Sequence, residues 1–226
     1  MNAIRNNIPN AITSLNLFFG CMACIAALSN GCLVAPYIVA FGFIALSAVA
    51  DFLDGLVARW LHAVSAIGKE LDSLADLVSF GLAPALILYS MMPNDGPWAL
   101  FALLLPVFGA LRLARFNVDT NQATTFTGLP IPANAIFWIG FTDWYYHHYD
   151  CPVWIVLLLI VVMSLLMVSP LRMFSLKMHN LSSLKQNWAQ YLQIVATVVF
   201  VVLLGLPGLA AAIALYVLLS IIKREK

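Results

Sequence analysis

The sequence predicts an all-α, polytopic membrane bundle of about eight transmembrane helices, with both termini on the cytoplasmic side. Three observations carry that expectation. First, of 226 residues 63% are hydrophobic and only 9% are charged, whereas soluble domains carry about a quarter charged side chains. Eleven basic and ten acidic residues are too few to cover a soluble fold of this length, so lipid must cover it. Second, apolar runs long enough to cross a bilayer recur along the whole chain, and mean hydropathy is +0.95. Third, all eleven basic residues fall on one side of the resulting topology.

The runs occupy residues 11–29, 34–61, 69–92, 97–117, 130–148, 152–169, 187–204 and 207–222. Pro, Gly and charge punctuate them: Pro93 to Pro97, Gly128 to Pro132, Asp150 to Pro152, Pro170 and Leu206-Pro207-Gly208. Pro84 and Pro106 fall inside spans and are expected to kink them. Arg5 ahead of a short first run also fits a cleaved leader; the equally apolar spans that follow, without a clear cleavage site, favour a retained first helix.

With a cytoplasmic amino terminus, alternating spans put Arg5, Arg59, Lys69, Arg112, Arg115, Arg172, Lys177, Lys185, Lys223, Arg224 and Lys226 on one face. The opposite loops, near 30–33, 93–97, 149–152 and 205–207, hold no basic residue, although Asp95 and Asp150 lie there. The positive-inside rule makes the basic face cytoplasmic. Trp98, Trp144 and Trp154 fall near outer ends and Trp60 and Trp188 near inner ends, as an interfacial aromatic belt requires. No soluble domain and no internal repeat is evident, so residues 1–226 are read as a single integral membrane domain. A net charge of +1 gives no electrostatic case for a nucleic-acid partner. Cys21, Cys24, Cys32 and Cys151 show no disulfide or zinc spacing and read as small core residues.

The second and third spans break their own apolar rule. Asp51 and Asp54 are three apart, and Asp72 and Asp76 four apart, so each pair shares one face of its helix. The segment from Arg59 to Gly68 is a cytoplasmic turn, and two antiparallel helices can bring the pairs together. A helix over 34–61 would be about 42 Å long against a hydrocarbon core of about 30 Å. Its last turns therefore protrude, and the carboxylates lie near the cytoplasmic boundary. An aspartate at a bilayer centre costs about 2.5 to 3.5 kcal/mol on insertion scales, less near the interface. Like charges side by side add repulsion. Something positive must hold them, and Arg59 and Lys69 supply too little.

Carboxylates without His or Cys form a hard-oxygen donor set, suited to Mg²⁺ or Mn²⁺ rather than zinc. Two such ions would bind a pyrophosphate and stabilise charge on attacking and leaving oxygens. Two other readings stand beside this one. The aspartates could pair with Arg59, Arg112 and Arg115 as a buried ionic cluster, an arrangement seldom worth its desolvation. They could also line the path of a cation transporter, which would require acidic or polar residues to continue toward the outer face. The outer halves are nearly bare, Asp143 being the main exception.

The window reads Asp51-x2-Asp54-Gly55-x2-Ala58-Arg59-x8-Gly68-x3-Asp72-x3-Asp76, and it resembles the signature of the CDP-alcohol phosphotransferases. Eight fixed residues across residues 51–76 make a far more specific motif than a lone glycine loop. The run Leu71-Asp72-Ser73-Leu74-Ala75-Asp76-Leu77-Val78-Ser79-Phe80-Gly81 looks like the phosphatidylserine synthase branch of that family. So do Arg112-Leu-Ala-Arg115-Phe-Asn117, Gly128-Leu-Pro-Ile-Pro132 and Pro9-Asn10-Ala-Ile-Thr13. A phosphatidylglycerophosphate synthase would more typically have Asp-Pro after the glycine and Asp-Lys at the last carboxylate, where this chain has Asp72-Ser73 and Asp76-Leu77. The resemblance runs over about residues 9–134, and the spans over about 152–222 match mainly in type. A phospholipase-D-like synthase would need His-x-Lys motifs, and none of His62, His147, His148 or His179 has Lys two residues on.

The resemblance implies a six-helix catalytic core within the bundle, a homodimer, and transfer of a phosphatidyl group from CDP-diacylglycerol to an alcohol with release of CMP. For the branch it resembles, the alcohol is L-serine. Inositol phosphate, glycerol phosphate or choline acceptors belong to sister branches. Asp51, Asp54, Asp72 and Asp76 are implied as ligands of two divalent ions, Mg²⁺ or Mn²⁺, with Asp76 also the general base. Gly55, Ala58, Arg59, Ser65, Gly68, Asn10 and Thr13 are implied donor contacts. On physics alone the small Gly55 and Ala58 serve helix packing or nucleotide approach equally, and Ser65 could be a plain turn serine. Serine's carboxylate calls for a cation, and Arg112 or Arg115 would serve, with Asn117 a further candidate. The arginines could equally be topology determinants. The implied setting is the inner or cytoplasmic membrane, with lipid substrates entering from the bilayer and the site facing the cytoplasm.

Overall fold

The computed structural model describes residues 2–29, 36–93, 96–118, 126–148, 151–174 and 187–222. Cys32, Asp95, Asp150, Lys177, His179, Lys185, Lys223, Arg224 and Lys226, and with them the outer loop near 30–33 and most of the long polar loop, lie outside the described residues. Contacts divide the chain into two compact units, Met1–Leu113 and Ala114–Lys226.

The first unit opens with α1 (Asn2–Leu28) and α2 (Pro36–Trp60). A turn at 61–65 leads to α3 (Ala66–Asp76), then a π-helical segment (Leu77–Leu82), α4 (Ala83–Met91), a 3₁₀ segment (Pro97–Leu103) and α5 (Leu104–Val118), which carries the chain into the second unit. α1 packs chiefly on α2, and both bury small residues that permit close approach: Ala23, Ala26 and Ala27 on α1, Ala40, Ser47 and Ala50 on α2. α3 and α4 also pack on α1. The start of α3 is set by Ser65, in extended backbone, whose Oγ accepts from Gly68 N at 3.0 Å and so satisfies one of the helix's free N–H groups.

The disruption expected at Pro84 takes a definite form. Proline lacks the N–H that would close a bond to residue 80, and the turn before it is widened: Ala83 N donates to Val78 O, five residues back. At Pro106 the change comes earlier, as the 3₁₀ segment that gives way to α5.

The second unit holds α6 (Ile131–His147), α7 (Val153–Val168), α8 (Trp188–Leu204) and α9 (Pro207–Ile222). α6 and α8 both pack on α9. Gly140 makes the first contact possible, because a Cβ there would run into Ala210 N and Leu206 O. Gln193 Nε2 donates to Ala212 O at 2.9 Å and ties α8 to α9. One feature departs from the all-α expectation. Residues Phe126–Thr127 (β1) pair antiparallel with Arg172–Met173 (β2), continued by Gly128 N donating to Leu171 O at 2.8 Å and Leu129 N to Leu166 O at 3.0 Å. Two loop segments thereby satisfy each other's backbone groups.

The described helices fall on the apolar runs, mostly within two or three residues; α1 extends further, because residues 2–10 continue its helix. Four continuous helices, Asn7–Leu28, Pro36–Trp60, Ala66–Met91 and Pro97–Val118, are long and apolar enough to cross a membrane. α7, α8 and α9 are apolar but shorter, at 16 to 17 residues. Large apolar side chains such as Phe18, Phe52 and Val202 point outward at 57%, 64% and 77% exposure, a surface suited to lipid and unsuited to water. The family-independent part of the expectation, a membrane helical bundle, agrees with this architecture.

Candidate active site

The last turns of α2 and the length of α3 supply the acidic residues. α2 and α3 each lean on α1, while contacts between the two are slight among the described residues. They thus stand apart across a gap that α1 floors. Across it Asp51 from α2 meets Asp72 and Asp76 from α3, with one ligand oxygen of each within 4.8 Å of the others. The i, i+4 spacing of Asp72 and Asp76 places both on the face turned to Asp51.

Asp54 is not in this group of three. It is buried, at 6% exposure, and lines the neighbouring cavity with Asp72. One turn of helix separates its side chain from that of Asp51, so the expected convergence of both pairs becomes three carboxylates plus one set to the side.

The donor set fits a hard divalent cation on two observations. All its ligands are carboxylate oxygens, the choice of Mg²⁺ and Mn²⁺. Asp54 Oδ2 and Asp72 Oδ1 are also buried with no hydrogen-bond partner among the described residues, an arrangement that carboxylates do not tolerate without a cation or a proton.

A cavity of about 220 Å³ opens beside the carboxylates. Asn10 and Thr13 of α1, Gly55, Ala58 and Arg59 of α2, and Ser65 and Gly68 at the start of α3 all line it, together with Asp54 and Asp72. The structure therefore gathers into one wall every residue assigned to the donor by resemblance. Pro9, Ala63, Val64 and Lys69 complete the lining; Lys69 adds a second cation to that of Arg59.

The two glycines of the motif differ in what requires them. At Gly68 a Cβ would sit 3.0 Å from both Asn10 Oδ1 and Ser65 Oγ, so a side chain there would crowd α1 and the helix cap. At Gly55 a Cβ would meet only the Arg59 guanidinium, at 3.6 Å and 3.9 Å, which is ordinary contact. Packing does not demand glycine there. The space over Gly55 belongs to the cavity, and the exposed Arg59 side chain lies back across it.

Ser65 serves as the N-cap of α3 while facing the cavity. Thr13 is buried at 3% exposure and donates to Pro9 O at 3.1 Å. Arg112 is half-buried in the first unit, whereas Arg115 and Asn117 belong to the second. There Arg115 Nη1 donates to Val168 O, the last residue of α7, at 3.1 Å, a charge well placed at a helix C-terminus. His62 sits in the turn with φ 49°, and His147 and His148 each bond a carbonyl of their own helix, at 2.8 Å and 2.9 Å. Cys21, Cys24 and Cys151 are free thiols.

Two polar residues beside the carboxylates escaped the motif: Asn16, fully buried on α1, and Ser79, fully buried in the π segment. A signal for the first exists in the sequence. Asn10, Thr13 and Asn16 recur every three residues of α1, and a polar stripe carried into a spanning segment marks a functional face.

The comparisons agree with this geometry. The sequence profile of the family described as CDP-alcohol phosphatidyltransferase matches residues 6–145, a stretch that contains the whole carboxylate cluster and cavity. A Helicobacter pylori protein named CDP-diacylglycerol–serine O-phosphatidyltransferase is 33% identical over 222 residues, covering 95% of this chain and 90% of its own. A Mycobacterium leprae protein of the same name is 34% identical over 231 residues, covering 95% of this chain and 70% of its own. One from Methanocaldococcus jannaschii, also so named, is 40% identical over 134 residues, or 59% of each chain. An enzyme family with a phosphotransfer chemistry, rather than a transporter or a structural ionic cluster, accounts for the acidic helix ends, and the chain belongs to the CDP-alcohol phosphatidyltransferase family.

Proposed function

We propose that the chain transfers a phosphatidyl group from CDP-diacylglycerol to L-serine, giving phosphatidylserine and CMP. The observation that carries this reading is the juxtaposition of three carboxylates within 4.8 Å with a cavity walled by Asn10, Thr13, Gly55, Ala58, Arg59, Ser65 and Gly68. The names of the relatives support serine as the acceptor. The bare Gly55 surface gives the nucleotide room, and Arg59 binds a donor phosphate through its guanidinium fork.

A serine hydroxyl is a poor nucleophile at neutral pH. Asp76 takes its proton as the serine oxygen bonds to the β-phosphorus of the donor. The bond between that phosphorus and the bridging oxygen breaks, and the electron pair leaves with CMP. Asp51, Asp54, Asp72 and Asp76 would hold two divalent ions, Mg²⁺ or Mn²⁺, which when bound supply neutralising charge at the pyrophosphate. Arg112, in the same unit as the carboxylates, meets the carboxylate of serine. The enzyme works as a homodimer in the inner membrane with its site facing the cytoplasm, a setting supported by the one-sided distribution of basic residues.

Purified protein given CDP-diacylglycerol and separate alcohols should release CMP with serine, stop on addition of EDTA, and recover with Mg²⁺ or Mn²⁺ but poorly with Ca²⁺. Release with inositol phosphate or glycerol phosphate in place of serine would move the chain to a sister branch. Asp76→Asn should leave donor binding near normal, measured by competition with labelled CDP, while CMP release falls by about 10²-fold or more. Near-normal turnover would remove Asp76 from the role of base. Gly55→Val should raise the KM for CDP-diacylglycerol about tenfold or more without lowering thermal stability, because the added methyl groups enter donor space at a cost of about 1–3 kcal/mol.

A further inference from the structure

The polar stripe on α1 continues past the cavity to Asn16, which does not line it. Asn16 is fully buried in an apolar helix. Its Nδ2 donates to Asp76 Oδ1 at 3.3 Å, and its Oδ1 accepts from the Ser79 hydroxyl at 2.8 Å. That hydroxyl also lies 3.1 Å from the Asn16 main-chain oxygen, which receives the Ser47 hydroxyl from α2 at 3.1 Å as well. Only one orientation of the amide satisfies both neighbours, since an ionised carboxylate accepts and cannot donate.

The geometry on the α3 side is equally fixed. Asp76 is the last residue of α3, and the π segment Leu77–Leu82 begins at the next residue. A π turn shifts every following side chain around the helix axis, and such turns gather at functional sites. Here it places Ser79 against α1, at a point where α1 has Gly20. A Cβ on Gly20 would collide with Ser79 Oγ, so the glycine admits the hydroxyl. Packing alone would be served as well by an apolar side chain at position 16, with no polar group to satisfy.

We propose that Asn16, clamped by Ser79, is a positioning residue that holds the Asp76 carboxylate in the orientation facing Asp51 and Asp72. The clamp lies behind the carboxylate, away from the donor cavity. It therefore acts on turnover and on ion binding, and leaves donor affinity alone. The catalytic consequence rests on the reading of Asp76 as base; the effect on ion binding does not.

The test compares the wild type with Asn16→Ala, Asn16→Asp and Ser79→Ala. It measures CMP release at saturating substrates, the KM for CDP-diacylglycerol, and Mn²⁺ affinity by EPR titration in detergent. Asn16→Ala should lower kcat and Mn²⁺ affinity about 10- to 100-fold, as loss of a hydrogen bond behind a ligand commonly does, with the KM for donor unchanged when Mn²⁺ is saturating. Asn16→Asp keeps the volume but replaces the donor with a second acceptor, so it should lose at least as much. Ser79→Ala should lose less, in the same direction. An Asn16→Asp protein with wild-type kcat and Mn²⁺ affinity would reduce position 16 to packing and overturn the proposal, as would a loss confined to KM. If the wild type releases no CMP with any alcohol, the functional reading fails, and the Mn²⁺ titrations still decide the role of Asn16. Should Asn16→Ala not fold, the isosteric Asn16→Asp and the Ser79→Ala variant decide it.

Discussion

Carboxylates on helices that lipid surrounds must find positive charge, and the first unit of this protein is organised around that need. Asp51, Asp72 and Asp76 converge within 4.8 Å although mutual repulsion alone would drive them apart. They are held there because α2 and α3 are both anchored to α1. The gap between α2 and α3 is thus a consequence of how the three helices pack, with α1 as the shared support. The same packing brings the polar stripe of α1 to the site, with Asn10 and Thr13 in the cavity wall and Asn16 behind Asp76.

Unpartnered buried oxygens on Asp54 and Asp72 distinguish this arrangement from a structural ionic cluster, in which each carboxylate would be matched by a guanidinium or ammonium. The contrast between the motif glycines points the same way. A side chain at Gly68 would crowd Asn10 and Ser65, whereas among the described residues a Cβ at Gly55 would meet only the Arg59 side chain. A position kept bare with space above it is what the approach of a ligand to a helix backbone requires.

Much of the site was legible in the sequence because its logic is local. The i, i+3 and i, i+4 spacings fix which carboxylates share a face, and the turn between Arg59 and Gly68 fixes that the two helices return to the same end. The apolar runs located the helices for the same reason. What the sequence did not reveal depends on contacts between distant segments. That Asp54 falls outside the group of three and lines the cavity instead depends on how α2 and α3 meet across α1. The link from Asn16 to Asp76 and Ser79 spans 60 and 63 residues and depends on the π segment, whose change of phase no periodicity rule anticipates. The pairing of β1 with β2 likewise joins loops 45 residues and more apart in the chain, each too short to carry a strand pattern. Arg115 read as a substrate contact or a topology signal; its bond to the end of α7 is a third use that only tertiary structure could show.

The carboxylate cluster and the adjoining cavity are read as one site for divalent ions and a nucleotide diphosphate. Anomalous diffraction at the manganese edge, from crystals grown with Mn²⁺ and CDP-diacylglycerol, tests it most directly. Manganese peaks ligated by Asp51, Asp54, Asp72 and Asp76 are expected, with the diphosphate beside them and the nucleotide over Gly55. Manganese elsewhere, or a nucleotide bound away from Gly55 and Arg59, would contradict it.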